Sequence, residues 1–312
     1  MLLSYIKLAA KTGFKMSKVH QTNLSDEATK KTLLEQYLED PASLLELENK
    51  DCEEILEKSK KFYEKELEDS ATEGLVIGLS GGIDSAVVAY LAVNALGIEK
   101  VYGVLIPSQY TSTEQIEDGL NVAAELKIEV NNWRKVQAEF DGLAMQLEGL
   151  GEPALDPELQ KIKLANIHAR LRMIILRDIA RAKNFLVAGT GNASELMTGY
   201  FTMAGDGGGG VDNEVLGRLF KTQVRQLAKY LKVPARIIEK PPTAGLYPGQ
   251  TDEDELGVSY EVLDLVLLGY LLGMKKEEIS RITKVDLELV EKVFVLVKRN
   301  AYKLESAPIM EF

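Results

Sequence analysis

The chain reads Gly74-Leu-Val-Ile-Gly-Leu-Ser-Gly-Gly-Ile-Asp-Ser-Ala86 where two apolar segments meet. The first segment, Leu75 to Leu79, predicts a buried β-strand, and an apolar helix follows from Ala86. The glycines between them let the backbone turn sharply and leave its N–H groups uncovered. Because those donors stand beside the positive end of the following helix, the turn predicts a binding site for an anion such as pyrophosphate.

The polar side chains of this turn favour an anion site over a purely structural turn rich in Gly and Ser. Ser80 and Ser85 add hydroxyl donors. Asp84 would repel a phosphate unless a cation such as Mg²⁺ lay between them, so the sequence predicts a metal ion here. A Walker P-loop is excluded, because that motif requires Gly-Lys followed by Ser or Thr, and the chain contains none.

The Ser-Gly-Gly-x-Asp-Ser pattern of residues 80–85 resembles the pyrophosphate loop of the ATP pyrophosphatase superfamily. Members of that superfamily split ATP between its α and β phosphates. They adenylate a carboxylate or carbonyl oxygen, and a nitrogen or sulfur nucleophile then displaces AMP. The resemblance therefore implies an adenylating enzyme.

The composition describes a globular protein with an acidic balance. Its 312 residues are 46% hydrophobic and 27% charged, which suffices for one large or two small domains. A net charge of −11 argues against a nucleic-acid partner, whose capture needs a basic surface. The only cysteine is Cys52, so no intramolecular disulfide forms and a reducing, cytoplasmic location is expected. No apolar run approaches the roughly 18 residues of a membrane span, so no membrane association is expected.

The order of periodic segments predicts an α/β fold in which helices flank a parallel, Rossmann-like sheet on both faces. Residues 1–70 are predicted to form a helical N-terminal extension, with helices at Glu27–Glu39 and Leu44–Leu67. Residues 71–312 are predicted to form the main domain, which alternates strands and helices and ends in the helical segment Ser259–Lys303.

Polar motifs follow three of the predicted strands, at Ser80–Ser85, Pro107–Thr111 and Thr190–Glu195. Ligands of open parallel sheets bind beyond the carboxyl ends of the strands, so these motifs are expected to share one site. The glycine-rich segment that follows, at 205–210, is predicted to be a mobile loop that orders over substrate.

Five motifs in this order together resemble the ammonia-dependent NAD synthetases over residues 74–308. They are Ser80–Ser85, Ala169–Met173, Gly189–Glu195 with Gly199–Thr202, Leu219–Thr222 and Pro242–Gly257. The resemblance implies an adenine nucleotide alpha hydrolase-like sheet. It also implies that ATP adenylates deamido-NAD and that ammonia then displaces AMP.

The resemblance also assigns roles to residues. Asp84, Glu195 and Lys221 would be catalytic, with Asp84 and Glu195 holding Mg²⁺ on the phosphates of ATP. The implied ATP-binding residues are Gly78, Ser80, Gly81, Gly82, Asp84, Ser85, Thr190, Lys221 and Thr243. The residues on the dinucleotide side would be Arg170, Met203, Asp212 and Lys303. Considered without the motif, Lys221 would be a solvated lysine in the first turn of a helix.

Departures from the family pattern fall on the dinucleotide side. Met203 stands where the family carries lysine, the loop after it is longer, and only Lys303 matches near the C-terminus. Two alternatives therefore stay open: a related ligase for another acid such as nicotinate mononucleotide, or a non-catalytic nucleotide-binding homologue. The acidic run Asp252–Glu255 is interpreted as a helix N-terminus rather than a metal site.

The expected partners are deamido-NAD, ATP, ammonia and a second copy of the chain. A homodimer is implied by the resemblance and is also predicted from apolar residues of the C-terminal helices: Val290, Val293, Phe294, Val297 and Val262–Leu272. The segment before the glycine-rich turn is too short for an amidotransferase domain. We therefore expect no built-in glutaminase.

Overall fold

The computed structural model describes residues 27–151, 156–243, 245, 249–305 and 310. Five parallel strands form one sheet in the order β3-β2-β1-β4-β5, which confirms the predicted fold class. The strands are β1 (Gly74–Gly78), β2 (Val101–Val104), β3 (Glu129–Val130), β4 (Phe185–Gly189) and β5 (Asn213–Glu214).

Helices cover both faces of this sheet and build the C-terminal part. In chain order they are α1 (Glu27–Glu39), α2 (Asn49–Ser70), α3 (Ile83–Leu96), α4 (Thr113–Leu126), α5 (Trp133–Leu150), α6 (Pro157–Lys183), α7 (Ala193–Thr198), α8 (Lys221–Tyr230), α9 (Ala235–Glu239), α10 (Asp252–Leu256), α11 (Tyr260–Leu271), α12 (Lys276–Thr283) and α13 (Leu287–Asn300). Short 3₁₀ turns lie at Ala42–Leu44, Ile98–Lys100 and Ala301–Leu304. Within the described ranges, no helix is both long and apolar enough to cross a membrane.

Strand β1 is buried on both faces, as expected for the centre of a parallel sheet. Leu75 and Ile77 point into a core formed with α2, α3 and α8, whereas Val76 points into a second core formed with α5 and α6. Tyr63 of α2 belongs to the first core, so the end of the predicted N-terminal extension packs directly on the sheet. The division into residues 1–70 and 71–312 stays a prediction, and residues 1–26 lie outside the described chain.

The C-terminal helices are rich in apolar residues because they form a third hydrophobic core. Val290 and Val293 of α13 are buried against α11, and Leu33 and Tyr37 of α1 belong to the same cluster. The prediction that these side chains form a dimer surface is therefore wrong, because the chain covers them itself. The homodimer is not tested by this packing and stays a prediction.

Candidate active site

The site lies at the topological switch point of the sheet, where the chain passes from strands on one side of β1 to strands on the other side. Strand β1 is flanked by β2 on one side and β4 on the other, so the loops that leave β1 and β4 diverge and open a crevice. A cavity of about 260 Å³ occupies this crevice and is lined by the loops that follow β1, β2 and β4.

The turn after β1 requires glycine at position 81. Gly81 has a φ of +76°, and a Cβ atom there would lie 2.2 Å from the carbonyl oxygen of Gln115 in α4. Any L side chain would be strained at this φ and would also collide with backbone. The turn is therefore packed tightly against α4.

Hydrogen bonds among the serines of the turn fix its shape. The Oγ atoms of Ser80 and Ser85 are 3.1 Å apart, and the Gly82 N–H donates to Ser80 Oγ over 3.2 Å. Ser85 Oγ donates to the Gly82 carbonyl over 3.0 Å. Helix α3 begins immediately afterwards, at Ile83, so its positive end faces the cavity.

Lys221 lies at the centre of the site, with a side chain that is only 2% exposed. Its Nζ atom is 2.6 Å from Asp84 Oδ2 and 3.0 Å from Glu195 Oε1. Burial alone would lower the pKa of Lys221, but the surrounding carboxylates raise it above its ordinary value and keep the amine charged. The alternative of a solvated lysine is therefore excluded.

Asn192 joins the two carboxylates, although the sequence analysis did not single out its side chain. Its Nδ2 donates to Asp84 Oδ1 over 3.0 Å, and its backbone N–H donates to Glu195 Oε2 over 3.2 Å. Asn192 also caps α7, because its Oδ1 accepts from the Glu195 N–H. Glu195 is thereby held at the first turn of α7, where burial raises its pKa and Lys221 opposes that shift.

Asp252 adds a third carboxylate that the sequence analysis assigned only to a helix N-terminus. It does begin α10, but its side chain is buried and lines the cavity. Tyr260 donates its hydroxyl to Asp252 Oδ2 over 3.1 Å, and Tyr200 donates to Oδ1 over 3.3 Å. Burial raises the pKa of Asp252, and Lys221 lowers it.

The structure brings together every residue that was predicted to bind ATP or to be catalytic. The following residues all line the same cavity: Gly78, Ser80, Gly81, Gly82, Asp84, Ser85, Thr190, Glu195, Lys221 and Thr243. They come from the end of β1, from the loops after β1 and β4, from the N-terminal turns of α3, α7 and α8, and from the segment after α9. Their nucleotide-binding roles stay predictions, but their common location is an observation.

The model of the NAD synthase family matches residues 55–307. The chain belongs to the NAD synthase family. It is 43% identical to the NH(3)-dependent NAD(+) synthetase of Methanocaldococcus jannaschii over 259 residues, which are 83% of this chain and 97% of that protein.

Two solved structures of similar proteins agree with membership of the NAD synthase family. An NMN synthetase from Francisella tularensis has a TM-score of 0.70 and 32% identity, with 86% of this chain and 100% of that one covered. An NH3-dependent NAD synthetase from Campylobacter jejuni has a TM-score of 0.68 and 30% identity, with 84% and 99% covered.

The four residues predicted to bind the dinucleotide do not line the cavity described above. Arg170 is exposed, and its Nε donates to the Met203 carbonyl over 3.2 Å. Asp212 pairs with Arg177 at 2.6 Å and accepts from the Val187 N–H at 2.7 Å, so it contacts the middle of β4.

Lys303, the fourth of these residues, holds the backbone that follows α7. Its Nζ donates to the carbonyl oxygens of Gly199 at 2.8 Å and Phe201 at 3.1 Å. The substrate roles of Arg170, Met203, Asp212 and Lys303 stay predictions.

Arg172 is the arginine of α6 that reaches the cavity. Two residues along a helix correspond to a rotation of about 200°, so Arg170 and Arg172 face nearly opposite sides. The Arg172 Nε donates to the Ile106 carbonyl over 3.1 Å, and burial lowers the pKa of its guanidinium to about 10. Apolar residues lie one helical turn from both arginines, so the sequence of α6 contains no clear signal that separates them.

Proposed function

We propose that this protein catalyses the ATP-dependent amidation of deamido-NAD to NAD, with ammonia as the nitrogen donor and AMP and pyrophosphate as further products. The observation that carries the proposal is the buried Lys221 ammonium between Asp84 and Glu195, beside the glycine turn after β1. The likeness to NH(3)-dependent NAD(+) synthetases supports the same activity.

The first chemical step is adenylation of the substrate carboxylate. One carboxylate oxygen attacks the α-phosphorus of ATP, the new O–P bond forms, and the bond to the β-phosphate oxygen breaks. The N–H groups of the turn and the N-terminus of α3 bind the departing pyrophosphate. Lys221 supplies a fixed positive charge near the phosphates, where negative charge is concentrated in the transition state.

Amidation follows at the adenylated carboxyl carbon. The ammonia nitrogen forms the C–N bond, AMP leaves with the oxygen that was bonded to phosphorus, and the nitrogen loses a proton. The site contributes mainly by holding the two substrates in reach of each other, which removes much of the entropic barrier. Free ammonia as the donor rests on the relatives, which are named for it.

Mg²⁺ is part of the proposal because of the charge balance in the site. Three carboxylates, from Asp84, Glu195 and Asp252, interact with the ammonium of Lys221, and the nucleotide adds further negative charge. In the described part of the chain, no three His, Cys, Asp or Glu side chains are placed to hold a metal by themselves.

Mg²⁺ fits such a donor set, because it commonly binds one or two carboxylates together with phosphate oxygens and water. Asp84 and Glu195 would hold it, and it would neutralise phosphate charge when bound.

Oxygen-18 tests the adenylation mechanism directly. Deamido-NAD labelled in its carboxylate oxygens is incubated with ATP, Mg²⁺ and ammonium, and the AMP is analysed by mass spectrometry. The proposal predicts one labelled oxygen in AMP and none in pyrophosphate, because the oxygen attacks the α-phosphorus. Unlabelled AMP with label in another phosphate product would overturn the mechanism.

A second candidate is the amidation of nicotinate mononucleotide. It is favoured by the likeness to the Francisella tularensis NMN synthetase and by Met203, which removes a positive charge that the resemblance places beside the dinucleotide. The two candidates share the ATP site and differ only in the acid. They are therefore separated by comparing the two acids as substrates.

We also propose a homodimer, through a face different from the one the sequence suggested. Exposed apolar side chains lie along α5 and α6: Leu143, Met145, Leu147, Leu150, Leu159, Ile162 and Ile174. Exposed apolar side chains along neighbouring helices mark a protein interaction surface. Arg170 shares this face, since it lies one turn from Ile174, so a second copy would bring its own groups close to it. The cytoplasmic location stays a prediction.

A further inference from the structure

Asp264 is fully buried in the middle of α11, a helix that is otherwise almost entirely apolar. Burying a carboxylate among Leu and Val side chains is costly unless hydrogen-bond donors surround it. Asp264 neither lines the cavity nor belongs to the carboxylate cluster around Lys221. Its place in the fold therefore needs a separate explanation.

Three donors meet the Asp264 carboxylate, and all come from the two helices that carry catalytic groups. Ser194 Oγ donates to Oδ1 over 2.5 Å. The Thr222 N–H and hydroxyl donate to Oδ2 over 2.9 Å and 2.8 Å. Ser194 Oγ also accepts from the Lys221 N–H over 2.9 Å, which closes the network.

These contacts fix the two helix starts relative to each other. Ser194 immediately precedes Glu195 in α7, and Thr222 immediately follows Lys221 in α8. The carboxylate lies at the N-terminus of α8, where the helix dipole and the unpaired N–H groups stabilise a negative charge. One buried side chain is therefore bonded to the neighbours of both catalytic residues.

We propose that Asp264 is a positioning residue, which holds α7 and α8 in the register that places Lys221 Nζ between Glu195 and Asp84. The inference rests on the roles proposed above for Glu195 and Lys221. A displacement of either helix by a fraction of an ångström would move the ammonium relative to the phosphates. Such displacements lower the rate of the chemical step more than the affinity for ATP.

The test compares variants that cut different parts of the network. Asp264→Asn keeps one oxygen for Thr222 but loses the charge, and Asp264→Leu removes every acceptor. Ser194→Ala removes the hydroxyl that bonds to Asp264 and to the Lys221 N–H, and it leaves the bonds from Thr222 to Asp264 in place. Tyr37→Phe is the matched control, because the Tyr37 hydroxyl donates to Leu265 on the same helix without reaching α7 or α8. For each variant, kcat and KM for ATP are measured by AMP release with deamido-NAD, alongside thermal unfolding.

The expected result is a fall in kcat of about tenfold for Asp264→Asn and Ser194→Ala, with KM for ATP changed by about twofold or less. Asp264→Leu should lose more, and Tyr37→Phe should keep its kcat. If Asp264→Leu does not fold, the two milder variants still decide the matter. Unchanged kcat in both, or a loss no larger than that of Tyr37→Phe, would overturn the inference.

Lys221→Met separates this inference from the proposed function. An inactive Lys221→Met protein together with a fully active Asp264→Asn protein would overturn the positioning role alone. An active Lys221→Met protein would overturn the role proposed for the lysine, and the positioning role with it.

Discussion

At the residue scale, Asp84 connects the glycine turn after β1 to the charged group formed by Lys221 and Glu195. It accepts from Asn192 and from Lys221, and its position in the first turn of α3 directs it into the cavity. We expect Asp84→Asn to lower AMP release by about 100-fold or more, because it removes the charge that pairs with Lys221 and that would hold the proposed Mg²⁺. The thermal midpoint should change little. AMP release and thermal unfolding check this together.

The control for that variant is Asp69→Asn, which removes a carboxylate of similar size from an exposed ion pair with Lys65. Exposed ion pairs contribute little to stability, so this variant should behave like the wild type in both measurements. Near-normal AMP release by Asp84→Asn would refute the assignment of Asp84 to the metal.

Asp264 also allows a prediction about pH. Burial raises its pKa from 3.8 to about 6 in the folded chain. The native state therefore holds the proton more tightly than the unfolded chain, and stability from this group is lost as pH rises through the folded pKa. Asp264→Asn cannot lose stability in this way. As the pH rises from about 4 to about 6, we expect the thermal midpoint of Asp264→Asn to improve relative to the wild type, and a constant difference would contradict the raised pKa.

The part of the site that the sequence could not predict consists of single residues whose partners are distant in sequence. Asn192 meets Asp84, and Asp252 meets Tyr200, only after the sheet and the C-terminal helices have assembled. The location of the glycine turn and of Lys221 in the site could be predicted, because each lies in a short contiguous motif that resembles the family pattern.

At the element scale, the turn between β1 and α3 depends on its close packing against α4. Gly81→Ala would place a Cβ 2.2 Å from the Gln115 carbonyl, in addition to the strain of a positive φ. Gly97→Ala is the matched control, because Gly97 has a φ of +84° and no atom within 4 Å of the added Cβ.

Gly97→Ala should therefore cost only the backbone strain, about 1–3 kcal/mol, and keep its kcat. Gly81→Ala should cost about 1–3 kcal/mol more, because the turn and α4 must separate, and it should lose most AMP release. Urea unfolding and steady-state kinetics provide the comparison. Equal behaviour of the two variants would show that the turn tolerates a side chain.

Among the predicted helices, one has the predicted bounds and another begins later than predicted. Glu27–Glu39 has the predicted bounds. The predicted helix Leu44–Leu67 is instead a 3₁₀ turn followed by Asn49–Ser70, because the Glu48 N–H and the Asp51 carboxylate form a cap that starts the helix there. Strands of two residues, such as Asn213–Glu214, are too short to show any periodicity.

At the scale of the whole molecule, the exposed apolar face of α5 and α6 predicts a dimer. Ile174→Glu should convert the dimer into a monomer, because it places a charge within that face. Val295→Glu is the matched control, since Val295 is 60% exposed and Ile174 is 63% exposed, but Val295 lies on α13. Sedimentation at micromolar concentration distinguishes them. A wild-type monomer, or dissociation only by Val295→Glu, would contradict the proposed face.

The central claim, that the acid amidated by this site is deamido-NAD, is tested most directly by a competition between substrates. At fixed ATP, Mg²⁺ and ammonium, kcat/KM is measured for deamido-NAD and for nicotinate mononucleotide from the AMP and the amide formed. We predict a kcat/KM at least about tenfold higher for deamido-NAD, because its adenylyl half adds binding energy that the mononucleotide lacks. A higher kcat/KM for nicotinate mononucleotide, or no amide from either acid, would contradict the claim.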